Sequence, residues 1–453
     1  MRIAHITDVE GNLPYLLSCV SLSPILSLSP DNELSFVDPA DPSLHFVFGG
    51  DATDRRPHDL EVLALLTSFK RRHPARVHLV LGNRDLSKLR YAAELSPKEL
   101  ARPPGEIPPP HWDPAAPSLR EYLEAEGRED GRVSRLRYML KHTLGCPFTF
   151  ENRRQELGGA SDEEVAASLA ADVAPGGPLL ALISLGCVAA RLGDTLFVHG
   201  AIDGGSCGFV PGPNTRFELP SSPPPGRYEP DVDSWVAAMN SYLAAGLADY
   251  LARPLFDERR STRGGEALLA LQNRDAMWGR SVVSGCYADG GCIASEAAGE
   301  RRAELPEGGA DPSKFRGVCA DAEDARLREF LAASGVARLV VGHKPSADAP
   351  AVLAGALEVV SADTSYSDPG AEDGRGKAAC SVLVDGGVLR VSGVLSTGEE
   401  HGYVLGGEEG DERVGRRAEE GGGWWVQTKL GGSPERYRLV RGGGRKWETK
   451  VVQ

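Results

Sequence analysis

Five short polar clusters in this chain could do chemistry, each placed directly after an apolar run. Asp8-Val9-Glu10 comes after RIAHI, Gly49-Gly50-Asp51-Ala52-Thr53-Asp54-Arg55 after LHFVF, and Gly82-Asn83-Arg84-Asp85 after ARVHLVL. His199-Gly200 follows TLFV, and Gly342-His343 follows RLVV. Carboxylates, an amide and imidazoles are the donors of a divalent-metal centre, and arginines beside them suit a phosphate. Singly, each cluster is weak. Asp-x-Glu after a strand commonly caps a helix, Gly-Asn-Arg-Asp commonly makes a tight turn, and a histidine ending a buried strand is commonly a satisfied core residue. Repeated at one kind of position along the chain, they point to a single reaction centre.

The stretch from Gly49 to Asp85 shows how the backbone must place them. One helical pattern lies between two apolar runs, which makes a strand-helix-strand unit. A parallel pair puts both polar ends at the carboxyl edge of one sheet, where open α/β folds hold their ligands. RIAHI predicts a first strand and LPYLLSCVSL a helix with Pro14 in its first turn. The LSP-containing segment that follows is turn-rich and predicts a surface excursion.

Further on, RPPGEIPPPHWDPAAP can sustain neither a helix nor a central strand and marks an insertion. Helical character returns over 118–144 and over 161–174, the second opening on a Ser161/Glu164 capping box. Glycine and proline dominate 204–226, an amphipathic helix is predicted over 232–251, and 294–313 is poor in hydrophobic residues. A helix over 321–334 then feeds VARLVVGHKP, and ALEVVSAD, ACSVLVD and GVLRVSGVL read as strands in largely antiparallel hairpins. The expected organisation is a main domain over 1–397 with insertions at about 101–192 and 204–313. WWVQTKL and RYRLVR predict a small β-rich appendix over 398–453.

Composition narrows the function classes. With 453 residues, 41% of them hydrophobic and 25% charged, the chain can bury a large core and is neither fibrous nor disordered. Asp+Glu 64 against Lys+Arg 50 excludes attraction of the whole molecule to nucleic acid or an anionic membrane by charge. The locally basic last stretch lacks regularly interleaved aromatics and reads as a solvated face. Eight cysteines with no CxxC fit a reducing compartment, and Cys286 and Cys292 read as ordinary thiols because no His/Cys pair completes a zinc set. No run approaches the roughly 18 apolar residues of a membrane helix, and no signal peptide precedes the first strand, so the cytoplasm is expected.

The ordered set of clusters resembles the calcineurin-like metallophosphoesterases, on the side related to the serine/threonine protein phosphatases. That family shows Asp-x-His, Gly-Asp-x-x-Asp-Arg, Gly-Asn-His-Asp/Glu, His-Gly and Gly-His in this order, and the resemblance spans roughly Met1 to Leu395 outside the insertions. It implies an α/β fold, a four-layer αββα sandwich. It also implies two divalent ions (Mn, Mg, Fe or Zn) about 3.5 Å apart, bridged by a carboxylate and a solvent molecule. Position by position, it implies Asp51 as the bridge, Asp8 and Glu10 on the first ion, and Asn83, His199 and His343 on the second. Asp51, Asp54 and Arg84 then form the implied catalytic set. Arg55, Arg84 and Arg280, the last within Met277-Trp278-Gly279-Arg280, are implied to bind phosphate. Asp363 and Thr364 are implied to be structural.

Two residues depart from the family pattern. Glu10 stands where the family has histidine, so the first ion would see only oxygen donors, which favours Mg or Mn over Zn. Arg84 stands where a histidine pairs with the aspartate represented by Asp54 and protonates the leaving group. A guanidinium, with a pKa above about 12, can donate hydrogen bonds but not that proton. The expected function is hydrolysis of a phosphomonoester or phosphoanhydride by direct attack of a metal-bridging hydroxide, biased towards good leaving groups. A phosphorylated small molecule or nucleotide is the expected substrate and a phosphoprotein the second choice, with neither nucleic acid nor membrane as partner. The alternative is a metal- or phosphate-binding module with little or no turnover.

Overall fold

Short strands with apolar residues on both faces build two sheets that pack face to face. The computed structural model describes all residues except 30–32, 111–112, 114, 203–205, 218–225, 273–324, 344, 346, 356, 369, 420–422 and 444–445. The strands are β1 (Arg2–Ile6), β2 (Leu26–Leu28), β3 (Leu34–Phe36), β4 (Leu44–Phe48), β5 (Val77–Leu79), β6 (Ala189–Leu192), β7 (Thr195–Val198), β8 (Phe209–Pro211) and β9 (Gly226–Tyr228). They continue with β10 (Arg338–Val341), β11 (Ala351–Leu353), β12 (Glu358–Ser361), β13 (Ala379–Asp385), β14 (Val388–Val394), β15 (Glu400–Leu405), β16 (Trp425–Leu430), β17 (Arg436–Gly443) and β18 (Lys446–Val452). The larger sheet has the order β18-β17-β16-β15-β14-β13-β1-β4-β5, and the smaller one β11-β12-β10-β7-β6.

Side-chain alternation assigns each strand a dry face towards the other sheet and a second face towards helices. Ile3, Val47, Phe197, Val340, Val360 and Val382 meet in the core between the sheets. Ala4, Ile6, Phe46, Phe48, Leu196 and Leu339 face outward into a second core shared with helices. Among these helices are α1 (Leu13–Leu22) and α2 (Asp59–Arg72), and α1 has Pro14 in its first turn as its sequence predicts. The αββα sandwich is therefore a direct consequence of strands buried on two sides.

The predicted Ser161/Glu164 capping box forms and starts helix Asp162–Ala171, and a second, at Ser118/Glu121, starts helix Leu119–Glu126. The turn-rich excursion after α1 is the β2–β3 hairpin. Antiparallel hairpins join β13 through β18. Strand β10 is a correction to that expectation, because it runs parallel to both β7 and β12. Its four residues are all buried, and β11 occupies the return path antiparallel to β12, so β12 reaches β10 in the same direction. The C-terminal strands β15–β18 extend the larger sheet outward from β14. No helix among the described residues is long and apolar enough to cross a membrane.

Candidate metal centre

Parallel pairing brings the polar clusters together. β1 lies beside β4 with Ile6 opposite Phe48, β4 beside β5 with Phe48 opposite Leu79, and β7 beside β10 with Phe197 opposite Val340. The carboxyl ends of the two sheets face one another, so the loops after β1, β4, β5, β7 and β10 share one cleft. Hydrogen bonds stitch the sheets there: His199 Nδ1 to the Gly49 carbonyl at 2.8 Å, and the His343 amide to Asp8 Oδ2 at 2.9 Å.

The backbone is strained where these side chains project. Asp8, Glu10, Asp51, Asp54 and His343 have φ of 51°, 47°, 55°, 126° and 66°, a region that costs a residue with a Cβ about 1–3 kcal/mol. Two of the glycines that flank them permit close approach. A Cβ on Gly82 would fall 2.0 Å from Asp51 Oδ1, and one on Gly342 would fall 2.2 Å from Asp8 Oδ2. Strain gathered at one cluster of polar residues marks a place held for function rather than for stability.

Asp51, His199 and His343 each offer one ligand atom, all within 4.8 Å of one another, and among the described residues they form the one such group. Asn83 joins them, its Oδ1 lying 3.2 Å from His199 Nε2. Because a carbonyl can only accept, the Gly49 contact fixes a proton on His199 Nδ1 and aims Nε2 at the group, the usual outer-shell arrangement of a metal-binding histidine. Burial alone would lower the His199 pKa, but the Asp51 carboxylate, reinforced by Asp8, outweighs it and pushes the value up to about 10. Two imidazoles, a carboxylate and an amide oxygen make a donor set that fits one divalent ion.

Asp85 holds this cradle in place, a role that its motif does not announce. Fully buried, its carboxylate accepts the amides of Asp51 at 3.0 Å, Ala52 at 2.9 Å and Gly82 at 2.8 Å, and so locks the loop after β4 to the loop after β5. Asp51 Oδ1 in turn accepts the Arg84 amide at 2.9 Å.

Asp8 and Glu10 are not members of the Asp51 group. Asp8 is used within the fold, accepting the Thr7 hydroxyl at 2.6 Å as well as the His343 amide. Glu10 Oε1 meets Arg84 Nε at 2.6 Å, and its Oε2 pairs with the Arg375 guanidinium and accepts the Tyr366 hydroxyl at 3.1 Å. Asp54 Oδ2 faces Arg84 Nη1 at 3.2 Å and Lys88 Nζ at 2.7 Å. Burial opposes the charge on Arg84, yet Tyr366, Asp54 and Asp51 outweigh it and hold the guanidinium protonated beyond its ordinary range. The same balance, with Asp54 dominant, keeps Lys88 charged. Of the first-ion set implied by the sequence, Glu10 thus meets two guanidinium groups, whereas Asp8 meets the Thr7 hydroxyl and the His343 amide.

Arg55 differs from Arg84. Its Nη2 donates to the Gly145 carbonyl at 3.1 Å, its guanidinium lies 5.6 Å from the Tyr366 ring centre, and among the described residues no carboxylate pairs with it. Arg375 covers the same ring at 4.1 Å. Asp363 is buried and accepts the Ser365 hydroxyl at 2.6 Å, and Thr364 shares a hydrogen bond of 3.0 Å with the Tyr15 hydroxyl. Arg280, Cys286 and Cys292 lie outside the described residues. Sequence reasoning missed Lys88, Asp85, Tyr366 and Arg375. Lys88 alone left a signal, standing one helical turn beyond Arg84 at the end of α3 (Asn83–Ser87).

Residues 1–140 match the family model of the calcineurin-like phosphoesterases. Comparison with curated proteins gives no match. Among solved structures, the chain is similar to the cold-active protein-tyrosine phosphatase of a psychrophilic Shewanella species, at 15% identity and a TM-score of 0.41, over 88% of this chain and 80% of that one. It is similar to a Saccharomyces cerevisiae protein serine/threonine phosphatase at 11% identity and a TM-score of 0.34, over 85% and 72%. A metallophosphoesterase from Sphaerobacter thermophilus aligns at 11% identity and a TM-score of 0.28, over 85% and 84%.

Proposed function

We propose that this chain, which carries the calcineurin-like phosphoesterase pattern over residues 1–140, is a metal-dependent phosphoesterase acting on a phosphomonoester or phosphoanhydride. The observation that carries the reading is the convergence of Asp51, His199 and His343 within 4.8 Å at the carboxyl ends of strands from both sheets. Asp51, Asn83, His199 and His343 would hold a divalent ion, and such an ion supplies Lewis acidity and a ligated water of lowered pKa. Everything else falls to the chain's own side chains.

Arg55, unpaired with any carboxylate among the described residues, takes phosphoryl oxygens. Arg84, 16% exposed and permanently charged, adds a hydrogen-bond donor beside the phosphate and the leaving oxygen. Asp54 holds Arg84 and Lys88 in position and has no histidine to serve as proton donor. The leaving group therefore departs with little proton transfer, at a loss of about 10²- to 10⁴-fold relative to acid-assisted departure. The substrate is a phosphorylated small molecule or nucleotide, with a phosphoprotein as the competing class, and the setting is the cytoplasm.

The alternative reading, a binding module with little turnover, draws support from one feature, the pairing of Glu10 with Arg84 and Arg375. A single assay separates the two. Purified protein is given p-nitrophenyl phosphate, pyrophosphate, ATP and a phosphopeptide with Mn, Mg or Zn added, and again with chelator. Metal-dependent multiple turnover that disappears in Asp51→Asn and in His199→Ala supports the enzyme. Tight metal binding without hydrolysis of any substrate favours the binding module, and hydrolysis that survives both substitutions refutes the assigned centre.

A further inference from the structure

We propose that Arg84 and Arg375 stand where the family pattern expects a first metal ion, so that this chain is built to hold one divalent ion rather than two. The inference rests on the reading of Asp51, Asn83, His199 and His343 as the ion cradle and concerns only the neighbouring position. There, Glu10 is 2% exposed at its side chain and has both oxygens engaged: Oε1 by Arg84 Nε at 2.6 Å, and Oε2 by the Tyr366 hydroxyl at 3.1 Å and the Arg375 guanidinium. Arg84 Nε also lies 3.4 Å from Asp51 Oδ2. Asp8 Oδ2 accepts the Thr7 hydroxyl and the His343 amide.

A guanidinium has no lone pair to offer a metal and cannot deprotonate to make room for one. An ion entering beside Glu10 would have to expel two arginines from a buried carboxylate, leaving them buried without it. Breaking a buried pair in this way corresponds to about a 10²- to 10⁴-fold loss of affinity per pair. The fixed cations do part of what the missing ion would do, supplying positive charge next to the phosphate without requiring a second metal. Lys88, which shares Asp54 Oδ2 with Arg84, belongs to the same fixed set.

The test counts metal ions in the full-length protein. Protein saturated with Mn(II) and desalted is assayed for its metal-to-protein ratio by elemental mass spectrometry and for its electron paramagnetic resonance spectrum. One ion per chain with the spectrum of an isolated Mn(II) is expected. Two ions per chain, or the spectrum of a spin-coupled pair, overturns this inference while leaving the cradle intact. No retained ion at any concentration overturns the cradle reading and this inference with it. In the second arm, the double variant Arg84→Ala/Arg375→Ala releases Glu10, and a second Mn(II) is expected to bind at least about 10²-fold more tightly than to the parent. A folded double variant, verified by circular dichroism, that still takes up a single ion overturns the inference. If that variant does not fold, the ratio in the parent protein decides.

Discussion

The contact between Glu10 and Arg84 can be tested as a stability measurement on metal-free protein, independent of turnover. Arg84 Nε and Glu10 Oε1 are 2.6 Å apart with side chains 16% and 2% exposed, so the pair is largely shielded from water. Removing one partner of a buried pair costs about 3–5 kcal/mol. Here each partner keeps a second contact, Glu10 with Arg375 and Arg84 with Asp54, which places Glu10→Gln and Arg84→Met near the lower end, about 3 kcal/mol each. In the double variant both charges are gone and neither is stranded, so its cost should fall short of the sum by about 1–3 kcal/mol. Denaturant unfolding of the four proteins in excess chelator, with a common slope, measures that coupling. A coupling below about 0.5 kcal/mol would show that the two residues do not depend on each other, and the picture of Arg84 as a fixed replacement for an ion would fail.

Three further outcomes follow from other contacts. Asp85→Asn loses a carboxylate that accepts three backbone amides, so Mn(II) affinity by calorimetry should fall about 10- to 100-fold although Asp85 is not among the donor set; unchanged affinity would remove its positioning role. Because Arg84 cannot give up a proton, rates for aryl phosphates should rise steeply as the leaving-group pKa falls, and a flat dependence with chemistry rate-limiting would count against the absence of an acid. Glu94 is buried, which raises its pKa, but Arg90 and Arg263 outweigh this and bring it down from 4.5 to about 2. Between those values the folded chain binds fewer protons than the unfolded one, so its contribution, about 3 kcal/mol, is present above pH 4.5 and is lost as pH falls towards 2. Glu94→Gln should flatten that acid limb of the stability curve, and an unaltered limb would show that the pair does not set it.

The parts of the fold that could be read from the sequence are those where burial is periodic. RIAHI, LHFVF and TLFV have to be two-faced strands, and each ends in polar residues that a strand cannot continue, so the order of the site residues was visible along the chain. The sequence could not show direction where a connection is long, and β10 came out parallel on both sides for that reason. Tyr366 and Arg375 were hidden for a different reason. They reach Glu10 from the irregular loop between β12 and β13, where no hydrophobic period fixes which side chains turn inward, and only folding reveals that both end buried.

Glu10 and Arg84, which each look like damage to a two-metal site when read one at a time, are a single feature in the folded chain. Glutamate at position 10 with a histidine at 84 would leave an extra buried carboxylate close to Asp51 and Asp54, an arrangement that invites a second cation. Arginine at 84 with a histidine at 10 would keep Asp54 as a partner but lose the carboxylate that meets its Nε at 2.6 Å. Present together, they neutralise each other at 2.6 Å, and Arg375 settles the remaining oxygen of Glu10. Neither exchange is therefore evidence of lost function by itself. On the proposed reading, the pair takes the place of the first ion and of the leaving-group acid, while Asp51, His199 and His343 keep ligand atoms within 4.8 Å of one another and Asn83 lies beside His199. The proposed activity would accordingly rely on one ion, on Arg55 and Arg84 for the phosphate, and on a substrate whose leaving group departs without a proton.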